Sequence, residues 1–154
     1  MLYFEDIEVG SKQEYGNYEV TLDEVTRFAE MYDPQPFHLD NDAAAKTHFG
    51  KISASGWHTC AMTMRMMVDN MKVHEQAGLG SPGVDQLRWK KPVYPGDTLR
   101  VETEVLEKRR SKSRREMGIF KSRGITLNQN GEVVLEMISN GLIQVRNPDA
   151  PIED

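Results

Sequence analysis

A broad apolar surface on one long predicted helix constrains this fold more than any other feature of the sequence. The segment 53-SASGWHTCAMTMRMMVDNMK-72 has helical periodicity and carries one narrow polar stripe. The apolar stripe consists of Trp57, Cys60, Ala61, Met64, Val68 and Met71, widened by Met62, Met66 and Met67, and the polar stripe consists of His58, Arg65, Asp69 and Lys72. A helix that is apolar over most of its circumference is usually buried. The sequence therefore predicts a central helix around which a curved element wraps.

Four predicted strands after this helix can supply the curved element. They lie at about 84–91, 97–107, 116–127 and 132–145, and their alternation of apolar and polar residues is clearest over 99–105. A turn at 92–97 and the sequence NQNG at 128–131 are connections too short for parallel crossovers. The sheet is therefore expected to be antiparallel.

Two predicted helices precede the long one. In 21-TLDEVTRFAEMY-32, Thr21 and Glu24 form a T-x-x-E capping box ahead of apolar residues at helical spacing, and a shorter helix is expected at 42–47. Helices followed by consecutive strands predict an α+β domain.

The composition favours one soluble domain and limits the classes of partner. A chain of 154 residues without repeats is expected to form one domain over 1–146, followed by a polar tail at 147–154. The lone cysteine, Cys60, cannot form an internal disulfide, which favours a cytoplasmic location. The net charge of −5 and the absence of a long apolar run argue against nucleic-acid and membrane partners.

The stretch 30-EMYDPQPFHLD-40 contains a candidate acid–base pair. Pro34 is expected to end the first helix, which places Asp33 at the helix end. Pro34 and Pro36 stiffen the connector to His38, so a carboxylate and an imidazole can face one water molecule. Imidazole titrates near neutral pH, and partial burial can raise the pKa of Asp33 toward it. The alternative is a capping aspartate beside a satisfied loop histidine.

Ser55 and Gly56 open the long helix. The first amides of a helix lack intrahelical acceptors, and Gly56 has no side chain to obstruct approach to them. Such a helix start can stabilise a carbonyl oxygen that gains negative charge. The alternative is an ordinary N-cap at Ser55.

Other chemistry-bearing residues favour structural roles. His58 lies on the polar stripe and, with Cys60, His48 and His74, offers no spacing typical of a metal site, so no metal is expected. Cys60 is expected in the core rather than as a nucleophile. The basic run KRRSKSRR at 108–115 predicts a solvated hairpin tip. The methionines predict flexible core packing, with an adaptable acyl tunnel as the alternative.

Four short motifs occur in a familiar order: YFEDIEVG at 3–10, D-x-x-P-x-H-x-D at 33–40, S-G at 55–56 and KKPVYPGDTL at 90–99. This order resembles the MaoC-like dehydratases, the (R)-specific enoyl-CoA hydratase group of the hotdog fold, from Tyr3 to Val145. The resemblance implies a long central helix wrapped by a curved antiparallel sheet. It also implies a homodimer or higher homo-oligomer with its site near the subunit interface, an acyl-CoA substrate, and no cofactor beyond the coenzyme A of that substrate.

The resemblance also implies roles for individual residues. Asp33 and His38 match the family's catalytic pair, which binds the water that adds syn across the C2=C3 bond of a trans-2-enoyl thioester to give an (R)-3-hydroxyacyl product. Gly56 matches the glycine whose amide holds the thioester oxygen. Within the pair, Asp33 is assigned as the base and His38 as the acid. The two groups would titrate as a coupled pair, so a pH profile would not separate their roles.

The chain departs from the family pattern at three positions. Gln35 stands where the family usually has asparagine, Ser55 where it usually has histidine, and Thr63 is the nearest substitute for a helical serine. Ser55 is a candidate for thioester binding with Gly56. The substrate-binding candidates are Gln35, Phe37, Trp57 and Thr63, with Arg88, Lys90 and Lys91 as basic residues for coenzyme A.

The favoured function is reversible enoyl-CoA hydration. Two alternatives stay open at this point: a hotdog acyl-CoA thioesterase, and a non-catalytic acyl-CoA-binding module.

Overall fold

A five-stranded antiparallel sheet packs around one long helix. The computed structural model describes residues 1–153. In chain order the elements are β1 (Lys12–Glu19), α1 (Leu22–Tyr32), α2 (Asn41–Ala45), α3 (Gly56–Val73), β2 (Gly83–Trp89), β3 (Thr98–Arg110), β4 (Met117–Leu127) and β5 (Val133–Gln144), with 3-10 helices at Phe4–Asp6 and Pro36–His38. The strand order is β1-β3-β4-β5-β2, and every neighbouring pair is antiparallel. This confirms the predicted α+β architecture, with its three helices and four predicted strands.

The sequence pattern did not predict β1. Its pairing with β3 is interrupted by a register shift between Tyr15 and Tyr18, so apolar and polar residues do not alternate. Gly16 lies in this bulge at a φ of +94°, and a Cβ there would collide with Met66 of α3. Glycine at this position therefore lets the edge strand cross α3 closely, which continues the sheet around the helix.

The buried face of α3 is only partly the predicted one. Its buried residues are His58, Thr59, Met62, Thr63 and Met66. On the predicted apolar stripe, Trp57, Met64 and Met71 are 60%, 52% and 41% exposed. The prediction of a buried apolar surface is confirmed at Met62 and Met66 and wrong at Trp57, Met64 and Met71. The polar stripe is not exposed throughout, because His58 is buried.

The buried face of α3 tolerates polar residues because neighbouring groups satisfy or pack against them. Thr63 Oγ1 lies 2.7 Å from Thr126 Oγ1 on β4, and the His58 ring stacks on Phe28 of α1 at a centroid distance of 4.6 Å. Burying a hydroxyl costs little when it keeps a hydrogen bond. The apolar stripe of Trp57, Met64 and Met71 is consequently left on the surface of the single chain.

The helix α1 begins and ends where the sequence predicts. Thr21 Oγ1 accepts a 3.3 Å hydrogen bond from the Glu24 N–H, and Asp33 is the C-cap, with non-helical φ and ψ of −148° and 66°. Pro34 explains this end, because the residue before a proline is disfavoured in the helical region.

Two connections that the sequence predicts join strands of the sheet. The segment 90–97 joins β2, at one edge, to β3, which lies beside the opposite edge strand, whereas 128–132 closes the predicted hairpin between β4 and β5. The basic run lies at the β3–β4 turn as predicted, and there Arg110 and Arg115 donate hydrogen bonds to the Pro148 carbonyl of the C-terminal segment. No helix within residues 1–153 is long and apolar enough to cross a membrane.

Candidate active site

Asp33 and His38 lie together just beyond the end of α1. Asp33 Oδ2 is 3.4 Å from His38 Nε2, and the two side chains are 18% and 6% exposed. The connector is held by backbone hydrogen bonds from Gln35 N–H to Asp33 O at 2.8 Å and from His38 N–H to Gln35 O at 3.0 Å. Because 3.4 Å is longer than a good direct hydrogen bond, one water molecule can reach both polar atoms. The stiff connector therefore brings an acid and an imidazole to one point, as the sequence predicts.

The His38 ring is fixed in one tautomer by its neighbours. Its Nδ1 lies 2.7 Å from the carbonyl oxygen of Ser53. Since a carbonyl oxygen only accepts, Nδ1 carries the hydrogen in this contact. Phe37 packs edge-on against the ring at a centroid distance of 4.5 Å. The nitrogen left to gain or lose a proton is therefore Nε2, which faces Asp33.

The carboxylate of Asp33 accepts a hydrogen bond on each oxygen. Ser55 Oγ donates to Oδ2 and Gln35 Nε2 donates to Oδ1, both at 2.7 Å. Burial is the largest single influence and raises the pKa of Asp33, but the two hydrogen bonds and the nearby His38 together hold that pKa below its ordinary value. The expectation that burial raises the pKa of Asp33 toward neutrality is therefore wrong, because the donors outweigh the burial.

Ser55 and Gly56 place the start of α3 directly beside this carboxylate. Ser55 occupies the N-cap position, but its side chain makes no capping hydrogen bond and bonds Asp33 instead. Gly56 is the first helical residue, so its N–H has no intrahelical acceptor. The ordinary N-cap interpretation of Ser55 is thus wrong, and the helix start remains a candidate anion-binding position.

Gly56 has a structural reason to be glycine. A Cβ at this position would lie 2.5 Å from Cε2 of the Trp89 indole, and Trp89 Nε1 donates a 2.8 Å hydrogen bond to the Gly56 carbonyl. Trp57 meets the same indole edge-on at 5.1 Å between centroids and is mostly exposed. Two tryptophans therefore surround the first turn of α3.

The structure does not bring every candidate residue to this site. The Thr63 hydroxyl is buried against Thr126, and Thr63 lies seven positions after Gly56, about 10 Å along the helix axis. Arg88 and Lys90 are exposed on either side of Trp89, and Lys91 forms an ion pair with Glu132, so the assignment of these three basic residues to coenzyme A stays a prediction. Gln35 and Phe37, by contrast, contact the pair directly.

Two residues that shape the site, Ser53 and Trp89, are not among the predicted site residues. The Ser53 contribution is a backbone carbonyl, which has no side-chain signature in a sequence. Trp89 could have been found, because alternation along a strand places it on the same face as Leu87, which packs against the core.

A separate polar cluster lies between α1 and α3. A cavity of about 400 Å³ is lined by residues that include Tyr18, Glu24, Phe28 and His58. His58 Nε2 is 3.5 Å from Glu24 Oε1, and Tyr18 donates a hydrogen bond to the same oxygen. Burial lowers the pKa of His58 against the opposing effect of Glu24, and burial together with Glu24 raises the pKa of Tyr18 to about 12. Within residues 1–153, no three His, Cys, Asp or Glu side chains group as metal ligands.

The fold and this site define a hotdog domain with an acid–imidazole pair at the start of its central helix. A Mycobacterium tuberculosis protein described as having a double hotdog fold superposes with a TM-score of 0.79 at 20% identity, covering 99% of this chain and 46% of that one. The chain belongs to the MaoC-like family, since the model of the MaoC like domain matches residues 6–122.

Two more similar proteins agree with this assignment. The crystal structure of a MaoC-like dehydratase from Rhodospirillum rubrum superposes with a TM-score of 0.85 at 39% identity, over 96% of this chain and 99% of that one. A 3-hydroxybutyryl-CoA dehydratase of Methylorubrum extorquens is 31% identical over 139 residues, which cover 89% of this chain and 85% of the relative.

Proposed function

We propose that this protein is an (R)-specific enoyl-CoA hydratase, which reversibly adds water to a trans-2-enoyl-CoA to give an (R)-3-hydroxyacyl-CoA. The observation that carries the proposal is the pair of Asp33 Oδ2 and His38 Nε2, 3.4 Å apart and joined through Ser55 to the start of α3. The name of the Methylorubrum relative, 3-hydroxybutyryl-CoA dehydratase, supports the same class of reaction. The proposed reaction needs no metal and no cofactor beyond the coenzyme A of the substrate.

Each group has a chemical task in the proposed reaction. The Gly56 N–H donates to the thioester oxygen, which makes C3 electrophilic and stabilises the enolate that forms. A water molecule held by Asp33 and His38 attacks C3, and a proton is delivered to C2. Because one pair of groups holds the water and supplies the proton in this proposal, hydroxyl and proton are expected to add to the same face.

We further propose that the protein acts as a homodimer in the cytoplasm. The apolar stripe of α3 is exposed at Trp57, Met64 and Met71, an area that a single chain seldom leaves open. Among the described strands, β2 pairs with β5 alone, so its outer edge is open beside this stripe, where Trp57 meets Trp89. A second copy fits both features, because antiparallel pairing of two β2 strands would join the sheets and cover the tryptophans.

Enoyl-CoA turnover in matched variants tests the proposal. Loss of the near-ultraviolet absorbance of crotonyl-CoA is expected with the native chain, and Asp33→Asn or His38→Ala is expected to reduce the rate at least about 100-fold. Asp69→Asn, near the end of α3, and His74→Ala, directly after that helix, change exposed residues; both serve as controls and are expected to keep the native rate.

Two outcomes would contradict hydration. Release of free coenzyme A thiol without a 3-hydroxyacyl product would identify a thioesterase. Tight acyl-CoA binding without turnover in folded protein would identify a binding module.

A further inference from the structure

Ser55 and Gln35, two positions at which the chain departs from its family's usual residues, converge on one carboxylate. Ser55 Oγ approaches Asp33 Oδ2 from the start of α3, and Gln35 Nε2 approaches Oδ1 from the connector, each at 2.7 Å. Ser55 is fully buried, so its hydroxyl has no competing water. Ser55 has a single hydroxyl hydrogen, so it cannot donate to a thioester while it holds Asp33.

Resting on the proposed function, we infer that Ser55 and Gln35 are positioning residues that keep Asp33 a carboxylate throughout the reaction, so that His38 Nε2 alone carries the proton. Hydrogen bonds to an ionised carboxylate favour the charged form and fix its rotamer. These roles replace the sequence-based assignment of Asp33 as base and His38 as acid.

The proton can be followed through every step. Neutral His38 has its hydrogen on Nδ1, held by the Ser53 carbonyl, so the Nε2 lone pair is available. Nε2 accepts a proton from water as the water oxygen bonds to C3, and the C2=C3 electron pair moves into the enolate held at Gly56. The imidazolium then returns that proton to C2, and the enolate electrons form the new C–H bond. Asp33 accepts a hydrogen bond from the other water hydrogen and stays ionised.

The electrostatic surroundings of Asp33 are simple enough to test. In the described chain, His38 is the titratable group in contact with it, and Ser55 and Gln35 face it as neutral donors from α3 and from the connector. The Tyr18, Glu24 and His58 cluster is a separate group between α1 and α3. Removing a donor should therefore act on the Asp33 titration directly.

Carboxyl carbon NMR titration of the intact protein gives the primary measurement, with the Asp33 resonance assigned by its loss in Asp33→Asn. The Asp33 titration is expected to move to higher pH in Ser55→Ala, to move in the same direction in Gln35→Met, and to return toward native in Ser55→Thr, which keeps the hydroxyl. Gln35 is exposed, so Gln35→Met keeps the test available if Ser55→Ala fails to fold.

Steady-state kinetics give the second measurement. Ser55→Ala is expected to lower kcat roughly tenfold with little change in KM, because a lost charge-assisted hydrogen bond acts here through Asp33 and not on the thioester. An unchanged Asp33 titration in both Ser55→Ala and Gln35→Met would overturn the inference, as would a raised KM with native kcat. If the native chain hydrates no enoyl-CoA, the proposed function fails, and the NMR titration still decides whether the two donors hold Asp33 ionised.

Discussion

The contact between Gly56 and Trp89 gives a prediction whose size can be worked out from the structure. In Gly56→Ala, the new Cβ would lie 2.5 Å from the indole, so Trp89 must swing away. That movement loses the hydrogen bond from Nε1 to the Gly56 carbonyl, worth about 1 kcal/mol, and the edge-on contact with Trp57, worth about 0.5–1.5 kcal/mol. Alanine returns at most about 1 kcal/mol through its lower backbone entropy in the unfolded chain.

The expected net loss in the free energy of unfolding is about 1–2 kcal/mol, with a fall in Tm of about 2–4 °C per kcal/mol for a chain of this size. Urea denaturation of the single and double variants measures it. A Trp89→Ala background removes the indole atoms that lie nearest to the new Cβ, so Gly56→Ala should be neutral or stabilising there, which gives a coupling energy of about 2 kcal/mol between the two sites. Gly78→Ala is the matched control, because a Cβ there meets nothing within 4 Å. Equal destabilisation by Gly56→Ala in both backgrounds would refute the reasoning.

Three further changes test the packing around α3. Thr63→Val should lower the free energy of unfolding by about 1–3 kcal/mol, because it leaves the buried Thr126 hydroxyl without a hydrogen-bond partner. The double variant Thr63→Val with Thr126→Val should recover most of that loss. A double variant as unstable as the single one would count against the buried pair. Burial lowers the pKa of His58 in the folded protein, so the unfolded chain binds more protons and stability should be lost as pH falls below about 6.5. His58→Phe should reduce the dependence of Tm on pH, measured from pH 7.5 to 5. An unchanged slope in the variant would contradict this role of His58. Met64→Lys should convert the proposed dimer to a monomer in sedimentation experiments, while Glu30→Lys on α1 should not. A Met64→Lys protein with the native sedimentation coefficient would exclude this face of α3 as the dimer interface.

Much of the fold could be predicted from local sequence patterns. The Thr21 cap, the proline after Asp33 and the alternation over 99–105 each act through neighbouring residues, and the structure has the elements they predict. β1 could not be predicted from alternation, because its bulge at Gly16 depends on the approach of Met66 from α3. Such a contact exists only once the tertiary structure has formed.

The buried face of α3 shows why apolar periodicity can mislead. The most apolar stripe of the helix, which includes Trp57 and Met64, lies on the surface of the single chain, while Thr63 and His58 are buried. An apolar helix face indicates a buried surface, but it does not indicate whether the same chain or a second chain buries that surface. The polar residues are buried because partners distant in sequence, such as Thr126, satisfy them.

The candidate site was predictable in its residues but not in its electrostatics. The spacing of Asp33 and His38, with two prolines between them, predicted a candidate acid–base pair. The structure places the two side chains together. The low pKa of Asp33 depends on Ser55, which lies 22 residues away in sequence, and on the orientation of Gln35. Neither of these two hydrogen bonds can be predicted from a sequence pattern.

The most direct test of the proposed hydration is NMR analysis of the product formed from crotonyl-CoA in D2O by the native chain and by Asp33→Asn. The expected product is a 3-hydroxybutyryl thioester of (R) configuration that carries one deuterium at C2, on the same face as the new hydroxyl. Almost no product is expected from Asp33→Asn. Crotonate and free coenzyme A, unchanged crotonyl-CoA, or native turnover by folded Asp33→Asn would contradict the proposed hydration.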